Sequence, residues 1–137
     1  MIFREATGDD YRRILGMVIA QNVDYIDYQV VKNDIISGQC YVIEENGKVM
    51  SCATLLWDYN YNTFYIKRGF TSKMNQGKGY FSELLIQLVE FVNGELPIRV
   101  TPYTANKKMI KILERIGFEF KKNFLDYYAL YEIEGLG

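Results

Sequence analysis

Apolar residues recur along this chain with two different periods, and the switches between them mark out the elements. Phe81, Leu84, Leu85, Leu88 and Val92 fall at i, i+3, i+4, i+7 and i+11. That spacing predicts one face of an amphipathic helix ending near Asn93-Gly94. Tyr11, Ile14, Leu15 and Val18 predict an earlier helix, with Asp9 or Asp10 placed to cap it. A further helix is expected from about Tyr25 to Ile36, stopped at Ser37-Gly38. The last helix runs from Asn106 to Ile116, with Met109, Ile112, Leu113 and Ile116 inward and Gly117 as its stop.

Strand patterns fill the intervals. IFRE opens the chain as a short strand. QCYVIEENGKVMSCATLLW predicts two strands joined at Asn46-Gly47, a hairpin signal because both turn positions need positive φ. TFYIKRGF, Thr63 to Phe70, is rich in β-branched and aromatic residues and predicts a third. PIRVTPY predicts a short strand with proline at each end, where the missing N–H is tolerated. FEFKK and DYYALYEI predict two closing strands around a turn at Asn123. The resulting order, β-α-α-β-β-β-α-β-α-β-β, is a mixed α/β (α+β) sheet of roughly seven strands with about four helices on its two faces.

Composition narrows the chemistry. With 137 residues and 49% hydrophobic content, residues 1–137 are expected to form a single domain. A net charge of −1 argues against a nucleic-acid partner, which needs a basic excess. No apolar run approaches the roughly 20 residues of a membrane span, and no signal-peptide pattern opens the chain. Cys40 and Cys52, the only cysteines, lie in apolar strand-like runs and are expected as buried free thiols in a cytoplasmic, reducing setting. The chain has no histidine. Ser-His-Asp and Cys-His nucleophilic sites and HExxH zinc sites are thereby excluded, and no metal is expected.

Gln76 to Phe81, QGKGYF, sets two glycines and a lysine directly before the long helical pattern. A helix start offers unpaired N–H groups and a partial positive charge, and glycines let an anion approach. A P-loop needs a glycine five positions before Gly77 and has none. The dinucleotide fingerprint needs glycine at position 82, which is Ser82. The Gln76-Gly77-Lys78-Gly79-Tyr80-Phe81 run instead resembles the Q/R-x-x-G-x-G/A pyrophosphate loop of the GNAT N-acetyltransferase superfamily. Asn106, with Leu113, Glu114, Arg115, Ile116, Gly117 and Phe118, resembles that family's N-x-x-A-x-x-[LI]-Y-E-K-x-G-F segment with the Asn-to-Gly spacing kept. The element order resembles the family over nearly the whole chain.

The resemblance implies a GNAT acyl-CoA N-acyltransferase fold that binds acetyl-CoA as co-substrate. It implies transfer of acetyl to a primary amine of a small-molecule or peptide acceptor by direct attack. Gln76, Gly77, Lys78, Gly79, Tyr80 and Phe81 would receive the pyrophosphate, and Asn106 would contact coenzyme A besides capping the last helix. Gly69, late in its strand, suggests a bulge or close backbone approach. By the resemblance, the backbone of Phe70 and Thr71 would hold the thioester carbonyl and pantetheine arm there.

Two positions depart from the family pattern. Phe81 replaces the loop's last small residue and lies on the helix's apolar face. Leu113 occupies the position of the usual tyrosine acid and cannot donate a proton. Tyr103 is a candidate replacement acid, or else a tyrosine anchored at a sheet edge. Asp58 and Glu83 are conceivable bases but read better as solvated carboxylates. Lys67 and Arg68 are adjacent on a strand and should point to opposite faces. The alternative function is a non-catalytic acyl-CoA-binding module, either reading being compatible with a monomer or homodimer.

Overall fold

The computed structural model describes residues 1–21, 27–92, 94 and 97–134. Seven strands form one sheet in the order β1-β2-β3-β4-β5-β7-β6. These are β1 (Ile2–Glu5), β2 (Cys40–Glu45), β3 (Lys48–Asp58), β4 (Thr63–Thr71), β5 (Ile98–Val100), β6 (Glu119–Phe124) and β7 (Tyr128–Ile133). Four α-helices accompany them: α1 (Tyr11–Ala20), α2 (Tyr28–Ile36), α3 (Tyr80–Val92) and α4 (Lys107–Ile116). The element order is the one that the hydrophobic pattern predicts. By its internal contacts the chain divides into two compact units.

The first unit comprises Met1–Leu55 and Arg68–Gln87. β1 and β2 pair antiparallel, as do β2 and β3, which are joined by the Asn46-Gly47 turn with φ of +54° and +77°. Two left-handed residues match the twist of the flanking strands, the reason this dipeptide is so strong a signal. The core gathers Ile14, Met17 and Val18 of α1 with Val31 and Ile35 of α2 and Cys40, Val42, Val49, Cys52 and Phe70 of the sheet. Cys40 and Cys52 are buried free thiols.

Two expectations in this unit are corrected. Met17 takes the inward position on α1, while Leu15 is only half-buried. Neither Asp9 nor Asp10 caps α1 through its side chain. Asp10 is instead drawn back to the preceding turn, accepting from the Thr7 amide at 2.8 Å and from both terminal nitrogens of Arg4 at 2.8 and 2.9 Å. A bidentate guanidinium and the Thr7 amide together hold the carboxylate away from the first turn of α1. The expected start of α2 at Tyr25 lies outside the described residues. The helix described begins at Tyr28, with the Asp27 side chain accepting from the Gln29 amide.

The second unit comprises Leu56–Lys67 and Leu88–Gly137. β4 and β5 pair in parallel through Phe64 with Ile98 and Tyr65 with Arg99. Parallel neighbours require a long crossover, and α3 supplies it. β5 pairs antiparallel with β7, and β7 with β6. α4 starts one residue later than expected because Asn106 is its cap, its side chain accepting from the Met109 amide at 3.2 Å. It stops at Gly117, whose φ of +119° suits a residue without a Cβ. The closing turn is not at Asn123, which pairs with Ala129 inside the β6–β7 ladder. The chain reverses at Leu125 and Asp126, with φ of +50° and +60°. A leucine in the left-handed region gives no sequence signal, so the asparagine two residues earlier misleads.

Candidate functional site

The end of β4, the loop after it and the start of α3 all lie in the first unit. After β4 a single 3₁₀ turn, Lys73–Asn75, leads to Gln76 in extended conformation. Gly77 and Gly79 then adopt φ of +78° and +86°. An L side chain is strained at both, so the loop needs glycine for its own geometry. A Cβ built at either position meets no heavy atom within 4 Å. The space in front of the backbone is open, and a phosphate can approach it.

The Gly79 carbonyl accepts the first helical bond of α3, from the Glu83 amide at 3.0 Å. The amides of Tyr80, Phe81 and Ser82 precede that bond and lie at the positive end of the helix dipole. Lys78 is exposed, its Nζ 3.5 Å from Asn75 Oδ1. Tyr80 is tied down by its hydroxyl, which donates to Glu45 Oε2. The Glu45 carboxylate holds that phenol above its ordinary pKa.

Gly69 is the site of a close approach, as expected for a lone glycine late in a strand. A Cβ there would sit 2.5 Å from Cε1 and Cζ of Phe81. Phe81 therefore packs its ring against the β4 backbone, a structural use for the residue that departs from the loop pattern. One position earlier, Arg68 has φ of +52° inside a strand. Such a conformation interrupts the regular alternation of the pleat.

Beyond this interruption the strand is held on both sides. The Ser51 hydroxyl donates to the Phe70 carbonyl at 2.9 Å, and the Ser72 amide donates to the Met50 carbonyl at 2.9 Å. Both bonds face β3. Alternation turns the Thr71 peptide to the opposite edge, where its carbonyl accepts from Gln21 Nε2 at 2.8 Å. Of Phe70 and Thr71, it is Thr71 whose peptide points away from β3.

Asp34 and Thr54 were not singled out in the sequence, and Arg68 was read there only as a strand charge beside Lys67. Arg68 grips Asp34 of α2 with two bonds, Nε to Oδ2 at 2.6 Å and Nη2 to Oδ1 at 2.9 Å. Thr54 Oγ1 donates to the same Oδ2 at 2.8 Å. The sequence did carry a signal: Val31, Asp34 and Ile35 share one helical face, so Asp34 stands where an apolar residue is expected. Arg68 reaches α2 through Asp34, and Lys67 Nζ lies 5.5 Å from the Tyr65 ring centre.

Asn106, Tyr103 and Leu113 belong to the second unit. Leu113 is fully buried on α4. Tyr103 forms an isolated bridge with Tyr128 and stacks on its ring at 4.7 Å. Asp58 accepts from the Asn60 amide and Glu83 from the Gln87 side chain, each serving a local turn or helix contact. No group of histidine, cysteine and carboxylate side chains suited to a metal occurs among the described residues.

A model of the acetyltransferase (GNAT) family matches residues 7–118. Solved structures share the fold at low sequence identity. A GNAT-family acetyltransferase of Bacillus cereus has a TM-score of 0.83 at 17% identity, over 99% of this chain and 98% of that one. An N-acetyltransferase of Staphylococcus aureus has a TM-score of 0.79 at 20% identity, over 97% of each chain. The protein yncA of Salmonella typhimurium, solved with its cofactor acetyl-CoA, has a TM-score of 0.80 at 18% identity, over 97% of this chain and 92% of that one. No curated protein matches the chain in sequence.

Proposed function

Because the chain belongs to the GNAT acetyltransferase family, we propose that it moves acetyl from acetyl-CoA to a primary amine of a small-molecule or peptide acceptor. The observation that carries this is the open glycine loop at the end of β4, continuous with the amides of α3 that precede its first helical bond. Gly77, Lys78, Gly79 and the Tyr80 and Phe81 amides hold the pyrophosphate, with Gln76 at the loop's entrance. By the family resemblance, a coenzyme A contact is also assigned to Asn106, the cap of α4. The Thr71 peptide, on the edge of β4 away from β3, is the donor placed for the thioester side of the ligand.

Transfer is direct. The neutral amine attacks the thioester carbonyl and the C–N bond forms, the amine's proton passes to water, and the C–S bond breaks to release the coenzyme A thiolate, which then takes up a proton. A backbone N–H aimed at the carbonyl oxygen stabilises the charge that develops there. The protein otherwise acts by positioning the two partners. An acyl-enzyme is disfavoured because both cysteines are buried, and contact with Cys40 together with burial pushes the Cys52 thiol well above its ordinary pKa. A thiol in that state is a poor nucleophile. A thiolate is a far better leaving group than an alkoxide, an ordinary cysteine thiol having a pKa of about 8.5, and a proton donor speeds its departure further. Tyr103 is the candidate to supply that proton, with water as the alternative source.

A second reading, an acyl-CoA-binding module without turnover, is favoured by one observation: the family's acid position is Leu113, wholly buried. Purified protein, acetyl-CoA and a panel of amines separate the two. Release of free thiol that depends on an amine supports transfer. Binding of coenzyme A without thiol release supports the module. Absence of both calorimetric heat and a melting shift at millimolar coenzyme A rejects both readings.

A further inference from the structure

Arg68 is an arginine in a left-handed conformation within a strand, at φ of +52°. Outside glycine, and occasionally asparagine or aspartate, such a conformation is unfavourable and persists only where its surroundings impose it. Those surroundings are identifiable. The Arg68 guanidinium is clamped by the Asp34 carboxylate through two bonds, 2.6 and 2.9 Å long. Asp34 is itself 6% exposed, and Thr54 Oγ1 fixes its Oδ2 from β3. Removing Asp34 therefore takes away both the clamp on the backbone and the counter-charge of the guanidinium.

The interruption at Arg68 lies directly before the stretch assigned to acyl-CoA. Gly69 follows, pressed against the Phe81 ring in the first turn of α3. Phe70 and Thr71 come next. The conformation at Arg68 thus sets which edge of β4 the Thr71 peptide reaches. A small cavity, with room for about one water, is lined by Asp34, Cys40, Cys52, Thr54, Arg68 and Phe70 among others. Strand residues beside a void have space to relax when the clamp is lost, whereas a close-packed site would hold them.

We propose that Asp34 is a positioning residue for acetyl transfer: it latches Arg68 in its left-handed conformation and so aligns the β4 backbone at Gly69–Thr71 with the thioester. This role rests on the acetyltransferase reading above. It does not involve contact between Asp34 and the ligand. Affinity for acetyl-CoA is supplied mainly by the glycine loop, whose geometry does not depend on the latch. A displaced donor costs rate rather than binding.

The test compares wild type with Asp34→Asn using acetyl-CoA and an amine that the wild type accepts, at a temperature where circular dichroism shows both folded. The expected result is a kcat lower by about tenfold to a hundredfold, with KM for acetyl-CoA changed by no more than about twofold. A folded Asp34→Asn that keeps its kcat overturns the role. Should Asp34→Asn fail to fold, two double variants that both lack the guanidinium decide the matter, and they also isolate the backbone. Asp34→Asn/Arg68→Gly should turn over within about threefold of wild type, because glycine takes positive φ freely. Asp34→Asn/Arg68→Ala should be about tenfold slower, because alanine does not. Equal rates in the two double variants overturn the proposal. A wild type that neither binds nor turns over acetyl-CoA overturns the acetyltransferase reading itself, and the two failures are thereby distinct.

Discussion

Tyr103 lies just past β5 and stacks on Tyr128, with ring centres 4.7 Å apart. Phenylalanine would keep the ring and the stack and remove only the hydroxyl. Tyr103→Phe is therefore expected to lower turnover, by about tenfold or more if general-acid help is typical, with little change in coenzyme A affinity. Steady-state kinetics beside calorimetry check this, and unchanged turnover with chemistry shown to be rate-limiting leaves water as the proton source. Leu113 offers no competing acid. It is fully buried, and a hydroxyl restored there would also overpack the face of α4 that it fills. At this scale the sequence was informative wherever a residue type has one strong conformational preference. Asn106 does cap α4, Gly117 does end it, and Gly69 does mark a close approach. Arg68 and Leu125 were illegible because neither residue type advertises a positive φ.

The glycine loop from Gln76 to Phe81 shows how local geometry and open space coincide in one element. Gly77 and Gly79 are needed for positive φ and leave open space where a ligand approaches. Gly79→Val should cost folding stability through strain at its φ of +86°, on the order of 1–2 kcal/mol, rather than through a clash at Cβ, which would meet no heavy atom within 4 Å. Its effect on coenzyme A should be greater, a loss of affinity of at least about tenfold, since the valine occupies the anion's approach. Calorimetry on the folded variant measures this, and normal affinity would remove the pyrophosphate from this loop.

A second element-level device joins β1, the turn before α1, and β2. Arg4 binds Asp10 at 2.8 Å and Glu44 at 3.0 Å. The Arg4 hydrogen bond holds the Asp10 carboxyl below its ordinary pKa. In the acid range the unfolded chain then binds the proton more readily than the folded one, so stability rises with pH. This contribution is present above the unfolded carboxyl value, about 3.9, and is lost as pH falls through the folded value. Arg4→Met should lower stability at pH 7 and make the decline below about pH 4 shallower. Urea titrations at several pH values check the slope, and parallel profiles would show that the pair contributes nothing.

For the whole molecule, a ligand that binds only the folded state must stabilise it. Acetyl-CoA at about 100 times its dissociation constant should add roughly 2.7 kcal/mol, read as a rise in melting temperature that grows with ligand concentration. The fold was legible at this scale because hydrophobic period, glycine stops and the Asn46-Gly47 turn are local signals, and each agreed with its neighbours. The order of seven strands and four helices follows from them. The glycine loop was legible too, since its chemistry is contiguous from Gln76 to Phe81.

Composition and local pattern by themselves determined the elements, the exclusion of histidine chemistry and the loop suited to a phosphate. The absence of histidine is a property of the whole composition, and the other two depend on residues close together in the chain. Only the tertiary structure decided that Asp34, Thr54 and Arg68 meet, that Phe81 is pressed against Gly69, and that Gln21 and Ser51 hold opposite edges of the β4 end. These contacts join residues between 12 and 50 positions apart in the chain. Their partners are chosen by which faces of α1, α2, α3 and the strands pack together, and a one-dimensional pattern does not contain that choice. The left-handed turn of Arg68 belongs with them, because it is imposed from α2 and not by the residue's own preference.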